Sequence, residues 1–132
     1  MIKRVILERS GRKVILMDSI SHVGADDAGH IVVSGSHGGA SGGEFASQHK
    51  LAAVFLNDAG VGKDEAGIAA LGMLERAKVP AATVSHMSAR IGDAEDTWQH
   101  GVLSHLNASA AKCGLRHGES LRDAVMRLLE TL

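Results

Sequence analysis

The residues of this chain that are best suited to proton transfer stand in loops that follow short apolar runs. Three such loops carry His37 (34–39), Asp58 (57–63) and His86 (85–93). Imidazole groups exchange protons close to neutral pH, so His37 and His86 are the candidate general acid and general base. We expect Asp58 either to orient one of these imidazoles or to act as a base itself.

The same loops carry groups that are suited to holding an anion. Glycine N–H groups ahead of a helix form an anion receptor with the positive end of the helix dipole, and Lys and Arg side chains add charge. The candidate ligand-binding residues are Ser36, Gly38, Gly39, Gly60, Gly62, Lys63, Ser88 and Arg90. They predict a small-molecule ligand with a carboxylate or phosphate group. Each also has an ordinary structural explanation, because glycine serves turns and most lysines and arginines are solvated surface charges.

Three well-known motifs match these loops only in part. The Gly-Lys pair at 62–63 lacks the other P-loop residues, because Asn57 and Asp64 occupy their positions. In a dinucleotide fingerprint the third glycine is replaced by Glu65, which would repel a pyrophosphate. Ser41 has the flanking glycines of a nucleophile elbow but lies several residues past the end of its strand. These departures argue against a nucleoside triphosphatase, a dinucleotide enzyme and a serine hydrolase.

The eight histidines of the chain raise the question of a metal site. His37, His86 and Asp58 would suit Zn, Fe or Mn if the strand ends bring them together, and this alternative stays open. His100 and His105 are five residues apart on a predicted helix, so they point to different faces and form no zinc pair. We therefore predict no metal ligands and leave the cofactor unknown.

The elements that must position these loops are read from the hydrophobic pattern. Two β-type runs around a glycine-containing turn predict a hairpin (4–9 and 14–19), and three further apolar runs predict strands (30–35, 51–56 and 81–85). Helices are predicted between and after these strands (44–50, 63–78, 96–112 and 120–132). This order predicts an α/β fold: a small three-layer Rossmann-like domain, with an N-terminal β-hairpin followed by βαβαβαα and a mostly parallel sheet. Parallel strands end at one edge, so we expect the three loops to meet there.

Length, charge and cysteine content narrow the class of protein. The 132 residues suit a single α/β domain over 1–132. Fourteen Lys and Arg balance fifteen Asp and Glu, which argues against a nucleic-acid partner. No apolar run approaches the roughly 20 residues of a membrane span, so no membrane partner is expected. The single cysteine and the lack of a signal-like start favour a cytoplasmic location. Exposed sheet edges favour a homo-oligomer of unknown subunit number.

The sequence thus predicts a small cytoplasmic α/β enzyme. It would act on an anionic small molecule by His/Asp acid–base catalysis at the carboxyl ends of the sheet strands. Lyase, isomerase and hydrolase chemistry all remain open, as does the identity of the substrate. The alternative is a non-catalytic ligand-binding or accessory subunit of an oligomeric complex, and a structural assembly domain is a third hypothesis.

Overall fold

The computed structural model describes all 132 residues and contains one six-stranded sheet whose strands lie side by side in chain order. The strands are β1 (Lys3–Arg9), β2 (Arg12–Met17), β3 (Ile31–His37), β4 (Ala53–Asn57), β5 (Ala81–Val84) and β6 (Leu103–Leu106). Strands β2 to β5 are parallel to one another, whereas β1 and β6 are antiparallel to their neighbours at the two edges. The prediction of a mixed α/β fold with a mostly parallel sheet is confirmed.

Helices cover both faces of this sheet. The α-helices are α1 (Ala40–Ser47), α2 (Ala69–Arg76), α3 (Ala94–His100), α4 (Ala108–Lys112) and α5 (Leu121–Thr131). Successive strand residues point to opposite faces: Val32 and Val54 pack in the cluster beneath α1 and α2, and Val33 and Phe55 pack in the cluster beneath α3 and α5. The near-continuous apolar strands therefore supply two buried layers at once.

The predicted helix over 96–112 is wrong, because the chain leaves the helix at Gly101 and forms a sixth strand. Gly101 is extended (φ −59°, ψ 137°), and a Cβ atom there would lie 2.5 Å from the carbonyl oxygen of Thr97. The residues that follow pair with β5, so that His105 lies opposite Thr83 and Leu103 opposite Val84. The predicted βαβαβαα order therefore gains a strand, and helix formation resumes only in α4.

The predicted helix over 63–78 begins later than expected. Residues Lys63–Ile68 form 3₁₀ turns in which Asp64 and Glu65 have left-handed φ values of 56° and 57°. Gly67 packs so closely on the preceding loop that a Cβ atom would stand 2.1 Å from the carbonyl oxygen of Asp58. The chain therefore wraps around the β4 loop before α2 starts.

The last helix confirms its prediction closely. The Ser120 hydroxyl caps α5 by accepting a hydrogen bond from the N–H of Asp123 at 3.0 Å, and Leu121, Val125 and Leu128 are buried. This is the pattern of an amphipathic helix with its apolar face on the sheet. None of the helices combines the length and the apolar character needed to cross a lipid bilayer.

Candidate functional site

The three loops that carry the candidate residues lie at one edge of the sheet. His37 of β3 is the register partner of Asn57 of β4, which is in turn the partner of Val84 of β5. The parallel strands therefore end level with one another, and Asp58 and Ser85 both begin loops at that edge. This is where ligands bind in open parallel sheets.

Asp58 places a buried carboxylate at the centre of this edge, with a side chain only 6% exposed. Its Oδ1 accepts hydrogen bonds from the N–H groups of Gly60 at 2.8 Å and His86 at 3.1 Å. Burial raises the pKa of Asp58, but the Gly60 and His86 N–H groups and the Ser104 hydroxyl outweigh it and hold that pKa below its ordinary value. Asp58 is therefore a fixed negative charge at neutral pH.

The imidazole ring of His86 lies next to the negative charge of Asp58. Its Nδ1 lies 3.3 Å from Oδ1 of Asp58, and its side chain is 45% exposed. The loop is braced by Ser88, whose hydroxyl donates to the Ser85 carbonyl at 2.7 Å and accepts from the Val102 N–H at 3.0 Å. Because Nδ1 faces the carboxylate, the arrangement leaves Nε2 to exchange a proton with a ligand. Asp58 is thus in contact with Nδ1 of His86, which is the geometry that orienting this imidazole requires.

The structure adds a second imidazole that the sequence interpretation did not connect with this site. Nδ1 of His105 lies 3.8 Å from Oδ2 of Asp58 and 3.2 Å from the Ser104 hydroxyl, and Ser104 and Thr83 share a 2.9 Å hydrogen bond. We call Asp58, His86, His105, Ser104 and Thr83 the Asp58 cluster. The available signal was the segment after Gly101, since a glycine followed by Val-Leu-Ser-His-Leu is compatible with a strand.

His37 lies outside the Asp58 cluster. It is exposed at the end of β3, and none of the hydrogen bonds of Asp58 or His86 involves it. It lines an open cleft of about 430 Å³ with Ala59 and Val61, which belong to the same loop as Asp58. The structure therefore brings Asp58 and His86 together and places His37 on a neighbouring cleft.

Ser36 and the start of α1 surround a smaller hollow beside His37. This hollow, of about 110 Å³, is lined by Ser19, Ser21, Ser36, His37 and Ser41 among others. The Ser36 hydroxyl accepts a hydrogen bond from the Ile20 N–H at 2.9 Å. The first N–H groups of any α-helix have no intrahelical partners. In α1 the N-cap residue is Gly39, so no capping side chain accepts a hydrogen bond from them either.

The N–H groups of the other predicted glycines already have partners within the protein. Gly38 donates to the Asn57 carbonyl at 2.8 Å, Gly60 to the Asp58 carboxylate at 2.8 Å and Gly62 to the Gly60 carbonyl at 2.7 Å. These bonds shape the loops around Asp58. The N–H groups at the start of α1 have no such partner.

Lys63 and Arg90 are exposed, and neither takes part in an ion pair of the structure. The backbone N–H of Arg90 donates to the Asp96 carboxylate at 2.9 Å, which holds the loop in place. No three His, Cys, Asp or Glu side chains are arranged to hold a metal ion. His37, the third member of the ligand set left open by the sequence, lies outside the Asp58–His86 contact.

Comparison of this chain with known protein families, with characterised proteins and with solved structures finds no match.

Proposed function

We propose that this protein is an enzyme that transfers protons on an anionic small molecule, with His86 as its acid–base group and Asp58 as the residue that orients it. The observation that carries the proposal is the 3.3 Å contact between Nδ1 of His86 and a carboxylate that is only 6% exposed. A buried, ionised carboxylate behind a half-exposed imidazole is an arrangement that supports general acid–base catalysis.

In this mechanism Asp58 accepts the Nδ1–H of His86, which leaves the Nε2 lone pair free to take a proton from the substrate. The imidazolium that forms is stabilised by the neighbouring negative charge. The same ring returns the proton through Nε2 in a later step, and Asp58 stays ionised throughout. A positioned acid–base group of this kind contributes roughly 10²–10⁴-fold to a reaction rate.

Recognition of the substrate's anionic group is assigned to the loops beside the Asp58 cluster. The unpartnered N–H groups at the start of α1 and the exposed Lys63 and Arg90 side chains would attract a carboxylate or a phosphate. His37 and Ser36 line the hollows at that end, so we assign them to ligand contact. The wider proposal is a Rossmann-like three-layer domain that works in the cytoplasm as a homo-oligomer.

The test is an NMR screen for proton exchange in ²H₂O. A mixture of small carboxylates and phosphate esters is incubated with the protein, and each compound is followed for loss of C–H signals or for new products. We expect at least one compound to react and His86→Asn to slow that reaction by about 10²-fold or more.

The matched control is His100→Asn. His100 also contacts a carboxylate, with its Nδ1 2.9 Å from Asp96, but it is 69% exposed on α3 and outside the Asp58 cluster. This variant should react at the wild-type rate. If His86→Asn reacts as fast as the wild type, the proposed enzyme is contradicted. If compounds bind without reacting, the non-catalytic ligand-binding subunit is the better interpretation.

A further inference from the structure

The carboxylate of Asp58 faces two imidazoles, one on each oxygen. Oδ1 lies 3.3 Å from Nδ1 of His86, and Oδ2 lies 3.8 Å from Nδ1 of His105. The two rings come from different strands, since His86 follows β5 and His105 lies within β6. Both are part-exposed, at 45% and 38% of their side-chain surface, whereas Asp58 between them is 6% exposed.

The hydroxyl groups around His105 lie on the same side of its ring as Asp58, near Nδ1. Its Nδ1 is 3.2 Å from the Ser104 hydroxyl and 3.4 Å from the Thr83 hydroxyl. All the polar neighbours of the ring therefore lie on its Nδ1 side. Nε2 lies on the opposite edge of an imidazole, so it is the atom left for an incoming molecule.

We propose that His105 is a second catalytic residue, and that His86 and His105 work as a base–acid pair that moves a proton from one atom of the substrate to another. This inference rests on the proposed function and narrows it to an isomerisation.

The proposed reaction requires one neutral imidazole and one protonated imidazole. A single carboxylate that faces both rings favours this difference in charge. Asp58 supplies one negative charge and so stabilises one imidazolium, while a second imidazolium beside the first would be repelled by it. The cluster therefore favours one protonated and one neutral ring.

The protons and electrons balance in this step. Neutral His86 takes a proton from the substrate through Nε2, and the electron pair of the broken bond stays in the substrate. That electron pair shifts and forms a new bond to the proton that protonated His105 gives from its own Nε2. The rings have then exchanged protonation states, and the reverse turnover or exchange with water restores them. No oxidant, reductant or co-reactant is needed.

The first experiment compares deuterium exchange with conversion in ²H₂O, using a carboxylate or phosphate ester that reacts in the screen above. In His105→Asn, His86 can still remove a proton and return a deuteron to the same atom. We expect exchange at that position to stay within about threefold of the wild type while conversion to the isomer falls about 10²-fold. If exchange and conversion fall together, His105 has only a structural role and the inference is overturned. If instead His86→Asn leaves exchange unchanged, the proposed function itself fails.

The second experiment needs neither a substrate nor a variant. Long-range ¹H–¹⁵N NMR of ¹⁵N-histidine-labelled wild-type protein, at a pH where the imidazoles are neutral, reports which ring nitrogen carries the proton. We expect His105 to be protonated on Nδ1, with a free Nε2. A proton on Nε2 of His105 would overturn the inference, and the proposed function would remain if His86 were still protonated on Nδ1.

Discussion

Two carboxylates at the same edge of the sheet invite comparison, because they share their backbone setting and differ in their side-chain neighbours. Asp18 follows β2, and its carboxylate accepts hydrogen bonds from the N–H groups of Ile2 at 2.8 Å and Ala94 at 2.9 Å. Asp58 follows β4, and its carboxylate accepts hydrogen bonds from the N–H groups of Gly60 and His86. In both, burial raises the pKa, but other groups outweigh it and hold the pKa below its ordinary value. These are mainly backbone N–H groups, joined at Asp58 by the Ser104 hydroxyl and at Asp18 by the charges of the N-terminus and His22.

The two carboxylates differ in the groups that they contact. Asp18 joins the N-terminal strand to the start of α3, and both groups that it binds are backbone amides. Asp58 also faces two imidazoles, which are groups able to carry a proton. A carboxyl pKa below its ordinary value therefore marks a stabilised negative charge in both places. Asp58 differs from Asp18 in that two imidazoles contact its carboxylate, whereas His22 lowers the pKa of Asp18 through its charge and forms no ion-pair contact with it.

The largest effect is expected from Asp58→Asn. The amide oxygen of Asn can still accept the Gly60 N–H, so we expect the free energy of unfolding to fall by only about 1 kcal/mol. Without the negative charge, however, the imidazolium of His86 loses its stabilising partner, and proton exchange on the substrate in ²H₂O should fall by about 10²-fold or more. An exchange rate within threefold of the wild type would remove Asp58 from the mechanism.

Asp18→Ala should show the opposite pattern. The N–H groups of Ile2 and Ala94 lose their acceptor, which should lower the free energy of unfolding by about 2 kcal/mol in urea denaturation. Proton exchange per folded molecule should stay at the wild-type rate. If Asp18→Ala abolishes exchange while the protein remains folded, the distinction between the two carboxylates fails.

Acid should destabilise the protein through both carboxylates. Each has a folded-state pKa below its ordinary value of 3.8, so its stabilising contribution is present above that ordinary value and is lost as the pH falls through the lower, folded-state value. The urea midpoint should therefore decline from about pH 5 downward. The decline should be shallower in Asp18→Asn and in Asp58→Asn than in the wild type, and equal slopes in all three proteins would contradict the assignment.

The smallest effect on stability is expected from His37→Ala. His37 is exposed and lies outside the Asp58 cluster, so the free energy of unfolding should change by less than about 0.5 kcal/mol. Because His37 lines the neighbouring cleft, the concentration of substrate needed for half-maximal rate should rise while the maximal rate stays within a few fold. A loss of maximal rate as large as that of His86→Asn would move the catalytic centre to His37.

The meeting of Asp58 and His86 follows from features that the sequence displays. The apolar runs 51–56 and 81–85 predict adjacent parallel strands, and such strands bring the residues after them to one edge. The hairpin at the N-terminus and the capped helix α5 are equally local in origin, and both were predicted.

His105 could not be placed from the sequence because its position depends on a long-range contact. Residues 96–112 are compatible with a helix, but the pairing of β6 with β5 overrides that preference after Gly101. The separation of His37 from His86 was also not predictable, because the loop after Asp58 takes left-handed φ values at Ala59 and Val61, which face the His37 cleft. Loop geometry of this kind is decided by close packing, here on Gly67.

The most direct test of the Asp58–His86 contact is the position of the proton on the neutral imidazole of His86. Long-range ¹H–¹⁵N NMR of the wild-type protein should find this proton on Nδ1, donated to Asp58, and should find it on Nε2 in a fraction of Asp58→Asn molecules. A wild-type His86 that carries its proton on Nε2 would have no lone pair to offer a substrate and would contradict the account.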